Sequence, residues 1–389
     1  MSRRLSYEGV AVAVPVTVPY VRYSTHGAHW FIGQAVAGLV KASGVAKEQI
    51  DGLCLSSFSL APDTAVGVTQ HLGLSPRWLD HVPTGGASGV MCLRRAARAV
   101  QAGDADIVAC VGADTNHVDS FRQTLGRFSD FARDATYPYG AGGPNSVFAF
   151  ITANYMRTFG ARREDFGRIA VDQRSNALAN PNAMFKKPLS LDEYMVARPI
   201  SDPIHLFDCV MPCAGAEAFL VMREERASDL GLAHVVVRGA IERHNAYAED
   251  PVMVRGGWLK DSDDLYAQAD ATPAALDFVQ TYDDYPVIVM LQFEDLGFCA
   301  KGEGPAFVRS HSMTFGGSFP TNTSGGPLSA GQAGAAAGFL GMVEAIRQLT
   351  GAAGPRAVPD AQLGLVAGFG MVTYDRCLCT GAVILGKPQ

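Results

Sequence analysis

The chain has 389 residues, 48% of them hydrophobic and 18% charged, with 42 glycines. This profile excludes a disordered or fibrous protein and is long enough for two core-bearing halves. A formal net charge of −6, with no lysine-arginine tract, excludes a nucleic-acid surface, and no apolar run approaches a membrane span. The eight cysteines are scattered through apolar segments, the pattern of reduced core thiols in a cytoplasmic protein. Neither Cys209 with Cys213 nor Cys377 with Cys379 has the second close pair a zinc ribbon needs, so no metal site is expected.

The pattern predicts a buried strand over Val10–Val18, a helix over His29–Ala42 and a buried strand over Gly52–Ser56. A short helix over Pro62–Leu74 then leads to a glycine-rich elbow, Thr84–Gly89. The elbow opens a helix burying Val90, Leu93, Ala97 and Val100, a stop at Gly103 and an apolar strand Ile107–Val111. Backbone N–H groups at such an elbow suit a nucleophile or an oxyanion, yet no cysteine, histidine or base stands there. From Asp119 to about Ser201 the character changes, and this stretch reads as an insertion over the main fold with helices Ser146–Phe159 and Glu164–Ala179. A turn holding Cys213, Gly215 and Glu217 then precedes strand Ala218–Met222, followed by strands His234–Glu242 and Leu276–Tyr282. Helix Pro286–Leu296 comes next, then a second elbow region over Ser318–Gly338 with its own helix. Strand Leu363–Ala367, a Gly368-Phe369-Gly370 turn and strand Cys379–Leu385 close the chain.

Two pieces follow one programme: strand, glycine elbow, helix, strand, glycine. They run from Gly52 to Gly112 and again from Leu276 to Gly368. Duplicated halves are expected, at 1–235 and 236–389, with a site between them where both elbows and the insertion converge.

The stretches GGASGVMCLRRAARAVQAGDADIVACVGAD, SDPIHLFDC, YDDYPVIVMLQFEDLGFCAKGEG, NTSGGPLSAG and GFGMVTYDRCLCTGAVIL resemble the thiolase superfamily, in its sterol-carrier, lipid-transfer-protein branch. The resemblance implies an α/β thiolase fold, a duplicated αβαβα five-layer homodimer, acting on a coenzyme A thioester with no tightly bound cofactor. It also marks departures. The family's nucleophilic cysteine position is Gly86, in Gly86-Ala87-Ser88-Gly89. The Gly-His-Pro histidine position is Gln332, in Gly331-Gln332-Ala333, and the His-Asp-Cys-Phe motif appears as Tyr282-Asp283-Asp284-Tyr285. Without thiolate or histidine, ordinary thiolysis is excluded. Cys92, six positions on inside a helix, lies too far along to replace the missing thiol.

What remains is an oxyanion architecture: backbone N–H groups at Gly86 and near Gly370, and the Gln332 amide. With Tyr282 and one of Asp283 or Asp284 as acid-base groups, the expected reaction is retro-aldol cleavage of a β-hydroxyacyl-CoA, as in steroid side-chain aldolases. The other aspartate is expected to cap the helix at Pro286, and donors near Tyr282 are expected to lower its pKa. The resemblance further implies a small zinc-ribbon, oligonucleotide-binding-fold partner. A Claisen-type acyltransferase working with a partner, and a silent CoA-ester or lipid-binding subunit, are the alternative readings. Tyr374 and Asp375 are candidates to face the pocket. Lys186, Lys187, Arg122, Arg127 and Arg133 are candidates for the CoA phosphates, while His81 and His117 read as structural.

Overall fold

A computed structural model describes residues 6–117 and 130–388, without the side chains of 131–133. Among the described residues nine strands form one sheet in the order β3-β2-β4-β7-β1-β8-β11-β10-β9. They are β1 (Val10–Val21), β2 (Gly52–Ser56), β3 (Trp78–His81), β4 (Ile107–Asp114), β7 (Ala214–Arg223), β8 (His234–His244), β9 (Phe278–Gln280), β10 (Leu363–Thr373) and β11 (Arg376–Gly386). A separate hairpin, β5 (Pro199–Ser201) with β6 (Ile204–His205), lies in the insertion. β1 and β8 join the two halves by a short antiparallel seam, Ala11–Ala13 against Val236–His234. Outward from that seam the orders mirror each other. One side runs β1, β7, β4, β2, β3; the other runs β8, β11, β10, β9 and ends in a bridge between Val279 and Thr321.

Every residue of β4 is buried, the signature of a strand covered on both faces. Three apolar layers do the covering. Ile32 and Leu39 of the helix Ala28–Ser43 pack on Leu53, Ile107 and Leu220. Between the halves lie the two elbow helices, Ser88–Ala102 and Ala337–Leu349, where Val90, Leu93, Phe339 and Val343 meet Phe219 and Val366. Trp258 and Leu265 of the helix Trp258–Ala269, with Ile288 and Phe293 of the helix Pro286–Asp295, cover the far side. With the two halves of the sheet, one on either side of the elbow helices, these make the five expected layers. The described part of the insertion adds Phe148, Ile151, Tyr155 and Phe166 to that last core, so it is packed in rather than merely laid over.

Two local expectations are corrected. Glu217 lies inside β7, not in a turn, paired with Thr17 of β1; its buried carboxylate accepts from Thr17 Oγ1 at 2.6 Å. Gly368-Phe369-Gly370 is likewise strand, running in β10 opposite Gly381, Thr380 and Cys379. Glycine is needed there for close packing, as the site explains.

Candidate active site

Tyr282 sits just beyond the short strand β9, and buried amides fix its backbone. Gln292, wholly buried in the following helix, accepts from Tyr282 N at 3.0 Å and donates to Tyr282 O at 2.7 Å. Asn322, at φ +46°, accepts from Thr281 N at 2.7 Å. The ring is thereby turned onto the first elbow. A Cβ on Gly86 would stand 2.1 Å from Tyr282 Cζ and 2.4 Å from the Phe369 carbonyl oxygen. The tyrosine ring thus fills the space that a side chain at position 86 needs, and the missing nucleophile and the aromatic ring are two sides of one packing solution.

The neighbouring glycines serve the same approach of backbones. A Cβ on Gly370 would lie 1.7 Å from Thr84 O, one on Gly368 2.8 Å from Ala87 Cα, and one on Gly338 2.6 Å from Gly85 O. Both elbows and β10 therefore meet at Gly86. The four groups expected to line a pocket (Gly86, Tyr282, Gln332 and Gly370) are brought together, but Gly86 and Gly370 are packed over. The hollow beside Tyr282 is lined instead by Gln280, Asn322, Ser324, Pro327, Gly338 and Ala367.

Gln332 Nε2 donates to the Tyr282 hydroxyl at 2.8 Å. The amide is therefore engaged with the phenol rather than free as an oxyanion donor. Its backbone is pinned where Gln332 N donates to Met211 O at 2.8 Å and Cys213 N donates to Gln332 O at 2.9 Å. The Gln332 Oε1 and Asp284 Oδ1 atoms are buried without hydrogen-bond partners.

Burial pushes the Tyr282 phenol well above its ordinary value, and the charge of Asp284 adds to this; the Gln332 donor opposes it only in part. The expectation of a lowered tyrosine pKa is thus reversed, because desolvation of a phenolate outweighs one neutral donor. Burial likewise raises the Asp284 carboxyl to about 7, opposed by its hydrogen bond with Tyr282. Asp283 is raised by burial and then by the charge of Asp284. Neither aspartate caps the following helix, whose N-cap is Tyr285 with no side-chain bond. Instead Asp283 turns away to Gly326, where a Cβ would lie 2.2 Å from its Oδ2, and accepts from Leu328 N at 3.4 Å. Asp284 is the aspartate left with the phenol.

Other candidates separate. Tyr374 is largely exposed beside Tyr137, Phe150 and Val372, and Asp375 pairs with Arg376 at 2.9 Å. Lys186 Nζ is spent on the carbonyls of Asn180 and Pro181, while Lys187, His81 and His117 are exposed. Arg122, Arg127 and the Arg133 side chain lie outside the described residues. Sequence reasoning missed Gln292, a lone amide in an apolar helix and so in principle visible. It also missed Asn145, which accepts from the Tyr285 hydroxyl, and Phe148, stacked on Tyr285 with centroids 3.9 Å apart.

Residues 239–386 match the thiolase C-terminal domain-like family. The steroid side-chain-cleaving aldolase of Thermomonospora curvata is 30% identical over 360 residues, covering 87% of this chain and 90% of that protein. The 17-hydroxy-3-oxo-4-pregnene-20-carboxyl-CoA lyase of Mycobacterium tuberculosis is also 30% identical, with 87% and 91% covered. Among solved structures, the Ltp2-ChsH2(DUF35) aldolase superposes with a TM-score of 0.84 at 27% identity, covering 99% of both chains. Sequence, strand order and the elbow geometry agree, and this chain belongs to the thiolase superfamily, in its sterol-carrier-protein branch.

Proposed function

We propose that this enzyme cleaves the Cα–Cβ bond of a β-hydroxyacyl-CoA thioester by a retro-aldol reaction. The observation that carries the reading is the Tyr282 ring, seated on Gly86 where a thiolytic enzyme of this fold needs its nucleophile. Its hydroxyl lies between Gln332 and Asp284. These two are only half-buried while Tyr282 is buried, so substrate approaches the phenol from their side.

The β-hydroxyl proton passes to the Tyr282 oxygen as the phenol proton passes to Asp284. The electrons of the O–H bond form the new carbonyl, and those of the Cα–Cβ bond move into the thioester as an enolate. Return of the proton to Cα releases a shortened acyl-CoA and an aldehyde or ketone. Because the phenol is pushed up and Asp284 titrates about 7, Asp284 is the standing base and Tyr282 the relay.

The relatives' names support an acyl-CoA lyase. The two-component name of the solved aldolase supports a partner subunit, which we take to be of zinc-ribbon and oligonucleotide-binding type, bound to a homodimer. We place the division of the chain just before β8 (His234–His244), the strand that begins the second of the mirrored orders, so the expected boundary between 235 and 236 moves a few residues earlier. Incubation with β-hydroxyacyl-CoA esters, with and without such a partner, tests the reading: aldehyde or ketone release supports it, and thiolysis with free CoA in its place overturns it.

A further inference from the structure

β4 ends on Asp114, a buried carboxyl to which the chemistry above gives no part. It gathers donors from two distant segments. Oδ1 accepts from Ser57 Oγ and Phe58 N, both at 2.9 Å, from Ser59 N at 2.6 Å and from Ser59 Oγ at 2.5 Å. Oδ2 accepts from Ala335 N at 2.6 Å, in the turn that follows Gln332. Gly334 lies flush against it: at φ +53°, a Cβ there would stand 2.2 Å from Oδ2.

Gln332 is flanked by Gly331 at φ +125° and Gly334 at φ +53°, and glycine-rich turns keep their shape only when tethered. On the near side the tether is the pair of backbone bonds to Met211 and Cys213. On the far side it is Asp114. All the groups around that carboxylate can donate and three are backbone N–H groups, so an acceptor-only, charged side chain is what satisfies them. The same carboxylate holds Phe58, whose Cζ lies 3.4 Å from where a Cβ on Gly85 would be. One residue therefore registers both elbows.

We infer that Asp114 is a positioning residue for the phenol site: by tying the Gly334–Ala335 turn to the end of β4 and the Ser57–Ser59 loop, it holds the Gln332 amide on the Tyr282 hydroxyl. The inference rests on the retro-aldol reading for its kinetic assay alone. Asp114→Asn sets an NH2 group among N–H donors and loosens the turn with little change in shape.

A double-mutant cycle with Gln332→Ala separates positioning from general support. Asp114→Asn is expected to lower kcat on the order of 10–100-fold with KM nearly unchanged, the effect of a misplaced catalytic contact. In the Gln332→Ala background it is expected to lower kcat no further. Equal, additive falls in both backgrounds overturn the inference. Should Asp114→Asn not fold, Gly334→Ala breaks the same tie from the other side, with the same non-additivity expected. The crystal structure of whichever variant folds gives a readout independent of activity. Loss of the Gln332–Tyr282 hydrogen bond supports the inference, and the bond kept at its original length overturns it. If the unaltered enzyme cleaves no β-hydroxyacyl-CoA, the functional reading falls and that structure still decides the role of Asp114.

Discussion

A single methyl at position 86 tests the packing argument directly. In Gly86→Ala the new Cβ would stand 2.1 Å from Tyr282 Cζ, 2.3 Å from Cε2 and 2.4 Å from Phe369 O. Carbon–carbon contacts settle at about 3.5 Å or more, so a separation of about 1.4 Å has to be found. The Phe369 carbonyl cannot yield, since that residue sits in the β10–β11 ladder. Nor can the Tyr282 backbone, clamped on both its N–H and its carbonyl by Gln292. The ring must swing away while the Gly86 backbone backs off the Phe369 carbonyl, and the swing carries the hydroxyl out of reach of the Gln332 amide, now 2.8 Å away. Overpacking of this kind costs about 1–3 kcal/mol of stability, and loss of the acid-base contact about a hundredfold or more in turnover. Urea unfolding measures the first and carbonyl release from a β-hydroxyacyl-CoA the second. Wild-type turnover and stability in Gly86→Ala would refute the claim that ring and side chain compete for one space. Gly86→Cys meets the same clash, so no thiolysis is expected from it even at high pH.

Tyr282→Phe keeps the ring on Gly86 and removes only the hydroxyl; folding and CoA-ester binding should survive while kcat falls by roughly a hundredfold. Because the Asp284 carboxyl is raised to about 7 and works ionised, kcat/KM should climb with pH up to about that value and then level. Asp284→Asn should lose most activity and abolish the climb; an unchanged profile in that variant shifts the base to another group. The same raised pKa makes the folded protein hold a proton that the unfolded chain releases, so this carboxyl's contribution to stability falls as pH rises from the ordinary carboxylate range through about 7. Chemical denaturation of Asp284→Asn should therefore depend less on pH over that window than the parent. Away from the chemistry, Arg356 forms a buried pair at 2.9 Å with Glu344 of the second elbow helix. Arg356→Met takes the cation from this buried carboxylate and leaves it only the neutral donors Thr323 Oγ1 and Gln348 Nε2, which should cost about 3–5 kcal/mol in an unfolding titration.

Much of this molecule was legible in one dimension. Helical periodicity marked both elbow helices, the apolar run Ile107–Val111 marked a strand, and the repeated programme raised the expectation of duplicated halves. These signals are local, written within one or two turns of chain. The absent cysteine at Gly86 and the Tyr282-Asp283-Asp284 stretch were equally plain, so the members of the proposed site were named. Their arrangement was not. Gly368-Phe369-Gly370 looked like a turn because glycine in sequence signals a turn, yet its glycines answer to Thr84 and Ala87, far away along the chain. Asp283 and Asp284 are adjacent and chemically identical; one faces a phenol and the other the Gly326 backbone because residues from the second elbow lie on either side. The direction of the tyrosine pKa followed from the same cause. Desolvation is set by how many distant segments close over a group, and no periodicity records that. Asp114, too, was only the last residue of a strand until folding set the loop after β2 and the turn after Gln332 around its carboxylate.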